Sequence, residues 1–192
     1  MKPSMLCMSC FFTVLISFSA GCLGWEPGWK QAQGPAAAGN VNMLLVKAKL
    51  LANQADLKEK VQKAIAAYEE ALKIDPQNIT ALNELGMFYF LKAYCYDDTD
   101  AEKKLSYLKS LQYNERAMYA NPEFKALADM GEPVWEACRV LGKKDMRAMY
   151  RWYLALGNCW TDCYGICGKL LNCRWPGRSK KEIGRASCRE RG

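Results

Sequence analysis

Residues 82–89 read LNELGMFY and residues 153–160 read YLALGNCW. Both stretches place four residues at the same intervals: Leu82, Leu85, Gly86 and Tyr89 in one, Tyr153, Leu156, Gly157 and Trp160 in the other. At about 3.6 residues per helical turn these positions share one stripe. A glycine inside such a stripe lets a second backbone approach closely, so the pattern asks for a helix laid against a helix. Upstream, AIAAYEEALKIDP supplies Ala64, Tyr68, Ala71 and then Pro76, small residues and a ring followed by a proline that ends the helix. Ala117 and Pro122 repeat that ending. A unit of this kind cannot bury its apolar face alone, so a chain that repeats it must stack hairpins.

The spacing resembles the tetratricopeptide repeat, W-x2-L-G-x2-Y on a first helix, A-x3-F on a second, then proline. The resemblance implies an all-α fold, an α-solenoid of irregular tetratricopeptide-like helical hairpins over residues 41–173. Only three prolines lie between Asn40 and Asn172, and no strand-like alternation interrupts the Ala-, Leu-, Lys- and Glu-rich stretches. Pro76 and Pro122 stand 46 residues apart. A regular repeat takes about 34, so about twelve surplus residues are expected around YCYDDTDAEKK, between helices. The acidic cluster there (Asp97, Asp98, Asp100) lacks the glycine and terminal glutamate of an EF-hand loop. Thr99 and Glu102 instead form a capping box for the next helix. Another helix, at 132–141, is expected before the third unit.

The two ends differ from this body. An apolar run from Leu6 to Phe18 follows Lys2 and precedes Ser19, Ala20 and Gly21. At about 1.5 Å per residue it reaches roughly 20 Å, short of a hydrocarbon core of about 30 Å. Residues 1–21 therefore read as a secretory signal. The ending S-A-G-C resembles a bacterial lipobox, which implies a diacylglycerol on Cys22. Ser19 stands where that pattern usually has leucine, which leaves ordinary cleavage open. Residues 22–40, rich in Gly, Pro, Ala and Gln, read as a flexible tether. Residues 174–192 hold few core-forming side chains. Their last stretch, IGRASCRERG (183–192), resembles the translation of a sequencing adapter, so the chain is expected to be C-terminally truncated. These ends carry most of the formal charge of +7, and only +1 remains for residues 23–173. A nucleic-acid partner is not expected on that balance.

Chemistry is sparse. The chain has no histidine, which removes His-based triads and His-ligated metals. GNCWTDCYGICGKLLNC (157–173) gathers four cysteines. On one continuous helix Cys159 and Cys173 would lie roughly 21 Å apart, too far for sulfurs that must sit about 2.3 Å from one zinc. Gly165 and Gly168 mark a turn that relaxes this objection, but the spacing lacks a C-x2-C knuckle. Buried thiols are one reading; disulfides from Cys167 or Cys173 to Cys95 or Cys138 are the other. Neither a catalytic residue nor a metal ligand is expected. The pair Glu69–Glu70 reads as a solvated face, and Tyr89, Tyr153 and Trp160 read as core.

Taken together, a lipobox, a tether and irregular hairpins carrying "AYCYDDTDAEKKLSYLKSLQYNERAM" and "MYRWYLALGNCW" resemble the TatT family. These are tetratricopeptide-like lipoproteins associated with TRAP (tripartite ATP-independent periplasmic) transporters, and the likeness covers about residues 40–165. It implies a non-enzymatic protein, lipid-anchored to a membrane in the bacterial periplasm, that binds the TRAP solute-binding protein. Such proteins self-associate as homo-oligomers and offer a cavity for organic-acid or hydrophobic ligands. No cofactor is implied beyond the lipid on Cys22. Tetratricopeptide proteins present first-helix positions 2, 5, 9 and 12 on the concave surface. In the second unit these are Thr80, Asn83, Met87 and Phe90; in the third, Arg151, Leu154, Asn158 and Thr161. Arg151 can grip a carboxylate through two parallel hydrogen bonds, or pair with a neighbouring acidic residue. The alternative function is a general protein-binding lipoprotein of envelope assembly.

Overall fold

The computed structural model describes residues 26–163 apart from 32, 33, 35 and 36. The expected signal sequence, Cys22, Cys167, Cys173 and the C-terminal stretch lie outside the described residues. Among the described residues seven α-helices run in order: α1 (Val41–Asn53), α2 (Lys58–Ile74), α3 (Ile79–Leu91), α4 (Asp100–Tyr119), α5 (Pro122–Asp129), α6 (Val134–Ala137) and α7 (Met146–Cys163). Among the described residues there is no strand. None of these helices is long and apolar enough to cross a membrane.

Side chains placed just ahead of the helices start them. Asn40 and Asn78 accept from the amides of Met43 and Ala81, satisfying donors that the first turn leaves open. Thr99 and Glu102 form the expected capping box at the head of α4. Asn121 caps α5, with Pro122 at its first position, where no amide is needed.

The helices stack in chain order, α1 on α2, α2 on α3 and α3 on α4, and α7 then packs along α4. The helix expected at 132–141 is the four-residue α6 followed by a 3-10 turn (Cys138–Val140), and α5 precedes it, outside that range. The core runs between these layers. Ala64, Tyr68 and Ala71 of α2, Leu82 and Leu85 of α3, Tyr107, Leu111 and Met118 of α4, and Trp152 and Ala155 of α7 are all buried. The Tyr68 and Phe88 rings stack at 6.1 Å across the α2–α3 boundary. Gly86 behaves as its position demands. A β-carbon there would collide with the Asn114 side chain, and Ser110 Oγ donates to the Gly86 carbonyl at 2.7 Å.

Two expectations are corrected. The surplus residues of the second unit do not form a long loop. They lengthen the helices: α3 continues into a π-helical turn (Lys92–Tyr96), and α4 reaches 20 residues. The reason lies in Asp97, which is buried, pairs with Lys92 at 2.7 Å and accepts from Ser106 at 2.6 Å. Extending both helices lets these three groups satisfy each other. The tether is corrected too. Gly28–Lys30 forms a 3-10 turn docked on α4. There Trp29 stacks on Tyr119 at 5.3 Å and meets Phe124 edge-on at 5.9 Å. Further along, the Ala37 amide donates to the Lys73 carbonyl at the end of α2.

Candidate functional site

The expected concave face lies where α3 meets α7, and the structure brings its two halves together. Arg151 Nη1 donates to the backbone carbonyl of Asn83 at 2.6 Å, across the gap between the helices. The Glu84 carboxylate lies 3.9 Å from Arg151 and 3.6 Å from Arg147. Burial lowers the pKa of the Arg151 guanidinium from its ordinary value, and the Glu84 charge opposes that shift. Arg151 is therefore a strut between successive first helices rather than a waiting carboxylate grip. The reading in which it pairs with a neighbouring acidic residue is the one the geometry supports.

The remaining members are half-buried, apart from exposed Thr80. Asn83 and Asn158 each turn the side-chain amide back onto their own helix, to Ile79 O at 3.0 Å and Leu154 O at 2.8 Å. Phe90 stacks with Tyr94 at 5.8 Å and leans on Tyr107. Thr80, Met87 and Leu154 are left to supply the contact surface.

Two core assignments on α7 are corrected. Tyr153 is 68% exposed and Trp160 is 39% exposed. Gly157 is exposed, with nothing near the place of a β-carbon. The buried stripe of α7 is Ala148, Trp152, Ala155 and Cys159, which faces α4. Cys159 is thus a small apolar core residue. Cys138 is half-buried, and burial, assisted by the Glu115 charge, raises its thiol pKa to about 11, so it is no ready nucleophile. Among the described residues no cluster of three potential metal ligands occurs.

Sequence reasoning missed two polar clusters. Glu69, expected on a solvated face, is half-buried and accepts from Tyr89 at 2.8 Å and Tyr113 at 3.0 Å. The two rings stack at 5.6 Å, with Lys109 over one and Arg116 over the other. Burial, with the Glu69 charge and hydrogen bond, raises both phenol pKa values well above the usual range. The signal was present in Tyr89: a packing-position tyrosine needs a partner for its hydroxyl. The second cluster centres on Glu115, fully buried, whose carboxylate accepts from the Gly28 amide at 2.7 Å and the Trp152 indole at 2.9 Å. It joins the N-terminal turn, α4 and α7. Beside it a cavity of about 210 Å³ opens between Trp29, Pro76, Arg116 and Tyr119. Arg116 donates there to the Pro76 carbonyl at 2.6 Å, and its Nε is buried with no partner.

These hairpins define a class before any closer relation. The TPR repeat family's sequence profile matches residues 57–92, which span α2 and α3. The chain is therefore tetratricopeptide-like, an all-α solenoid of stacked hairpins. No curated protein and no solved structure matches it.

Proposed function

We propose that this protein is a helical scaffold that binds another protein across the α3–α7 face, as the accessory lipoprotein of a TRAP transporter. The observation that carries the binding role is the tetratricopeptide-like repeat over residues 57–92, whose first-helix face leaves Thr80 exposed and Met87 half-buried; Leu154 on α7 is half-buried too. The transporter role rests on the resemblance of residues 40–165 to the TatT family. Periplasmic placement rests on the signal-like N-terminus and on Cys22, taken as the lipid-bearing residue. The partner is then a TRAP solute-binding protein.

The test is co-purification of the lipidated full chain with the solute receptor encoded nearest to it. The pair should elute together, and Met87→Asp combined with Leu154→Asp should abolish the complex without unfolding the scaffold. Recovery of envelope-assembly proteins in place of the receptor would favour the general adaptor role. A complex insensitive to the double substitution would place binding on another face.

A further inference from the structure

α1 packs on α2 and turns its other side to solvent. The end helix of a repeat array ordinarily keeps its outer face polar, because no further unit covers it. α1 departs from that rule. Met43, Val46 and Leu50, spaced three and four apart, are 67%, 62% and 60% exposed, on the side of the helix opposite buried Ala48. Lys47 and Lys49 are exposed as well, and fall about 80° to either side of that apolar stripe. Neither lysine makes an ion pair among the described residues, and α1 itself holds no acidic residue. The first acid beyond it, Asp56, is held by Lys60 at 2.8 Å.

We infer that α1 lies in the plane of an anionic lipid surface, with Met43, Val46 and Leu50 in the acyl boundary and Lys47 and Lys49 on headgroup phosphates. An apolar stripe flanked on both sides by lysines is what such a surface selects. The lysine stems lie along the apolar layer while each ammonium reaches the charged one. Charge argues against a second copy, since two α1 helices laid stripe to stripe would bring lysine rows against lysine rows. Area argues the same way against a copy or a protein partner. The three side chains offer on the order of a few hundred Å², short of the about 800 Å² per partner that a stable interface buries. A lipid surface has no such threshold, because a few inserted side chains and two ammonium groups act together. The inference does not rest on the transporter partner proposed above, nor on a lipid at Cys22.

Hydrogen exchange of the full chain, read over residues 41–53, tests this with vesicles of phosphatidylglycerol and of phosphatidylcholine. A local readout reports what α1 touches, whatever else holds the chain to a vesicle. Exchange in α1 should slow about thirtyfold more on phosphatidylglycerol than on phosphatidylcholine, the ratio that two lysines near an anionic surface supply, and salt should shrink it. Met43→Asp combined with Leu50→Asp should abolish the protection, as should Lys47→Glu combined with Lys49→Glu. Lys47→Arg combined with Lys49→Arg should keep it. All four side chains are exposed, so exchange in α4 should stay unchanged in every variant and show that the scaffold is folded. Equal exchange in α1 with and without phosphatidylglycerol would overturn the inference, as would equal protection on the two lipids. Protection that grows with protein concentration in the absence of lipid would overturn it too, because the occupant would then be a second copy.

Discussion

Gly86 carries a constraint that a single methyl group exposes. Its missing β-carbon is the space that Asn114 occupies, and Ser110 closes on its carbonyl from the same helix. Helix propensity alone favours Gly86→Ala by up to about 1 kcal/mol. Overpacking opposes it by about 1–3 kcal/mol, and Asn114 is fully buried with no room to retreat, so the net effect should be destabilising. Adding Asn114→Ala clears the space, so chemical denaturation of the double variant should recover part of the loss; strict additivity would show that the two residues do not meet. Tyr68 offers a test by pH. Burial, aided by the Glu84 charge, raises its pKa from 10.0 to about 12. The folded state therefore holds the protonated phenol more tightly than the unfolded state does. That contribution is complete below pH 10 and is lost as pH rises toward 12. Urea midpoints should be flat between about pH 7 and 9 and fall above 10, and Tyr68→Phe should flatten part of that decline.

The N-terminal turn is the element whose standing changed most between sequence and structure. Its Gly-, Pro- and Gln-rich composition reads as a tether, yet Gly28 is buried against Gln112, and its amide is held by Glu115. Trp29→Ala removes both ring contacts and should release the turn, giving faster proteolysis near residues 26–31 while α2 and α3 stay protected. Glu115→Gln should cost more. Gly28 and Trp152 donate to different carboxylate oxygens, so glutamine would set its NH2 group against one of these donors, and hydrogen bonds to charged groups contribute about 1.5–3 kcal/mol. A thermal shift no larger for Glu115→Gln than for Trp29→Ala would show that the carboxylate is not the tie between the turn and α7. Periodic features were legible in advance because packing repeats at helical spacing: the α2 and α3 stripes, Gly86, and the cap at Thr99. Glu69, Glu115 and the docked turn were hidden, since each depends on pairing residues far apart in the chain, and composition carries no trace of such a pairing. The α7 register was legible too, but the exposure of Tyr153 and Trp160 was not. A stripe shows which face is apolar without showing what lies over it.

At the scale of the whole molecule the stack is unequal along its length. α1 lies at one end on α2, with Met43, Val46 and Leu50 exposed and Ala48 its one fully buried residue. α4 sits at the centre, in contact with α3, α5, α7 and the N-terminal turn. In a solenoid each unit touches only its neighbours, so stability is a sum of local terms and the chain opens from its weaker end. Hydrogen exchange should therefore be graded, with α1 least protected and α4 most. Ala48→Gly deepens the gradient, since it loses a buried methyl group and adds a glycine to a helix interior, about 1 kcal/mol from propensity alone. Its effect should appear as faster exchange in α1 and the facing half of α2, with α4 and the first turns of α7 unchanged. A cooperative globule would respond differently, with every amide that exchanges by global opening accelerating by the same factor. Equal acceleration in α1 and α4 would show that the hairpins, though built on a repeating pattern, unfold as one unit.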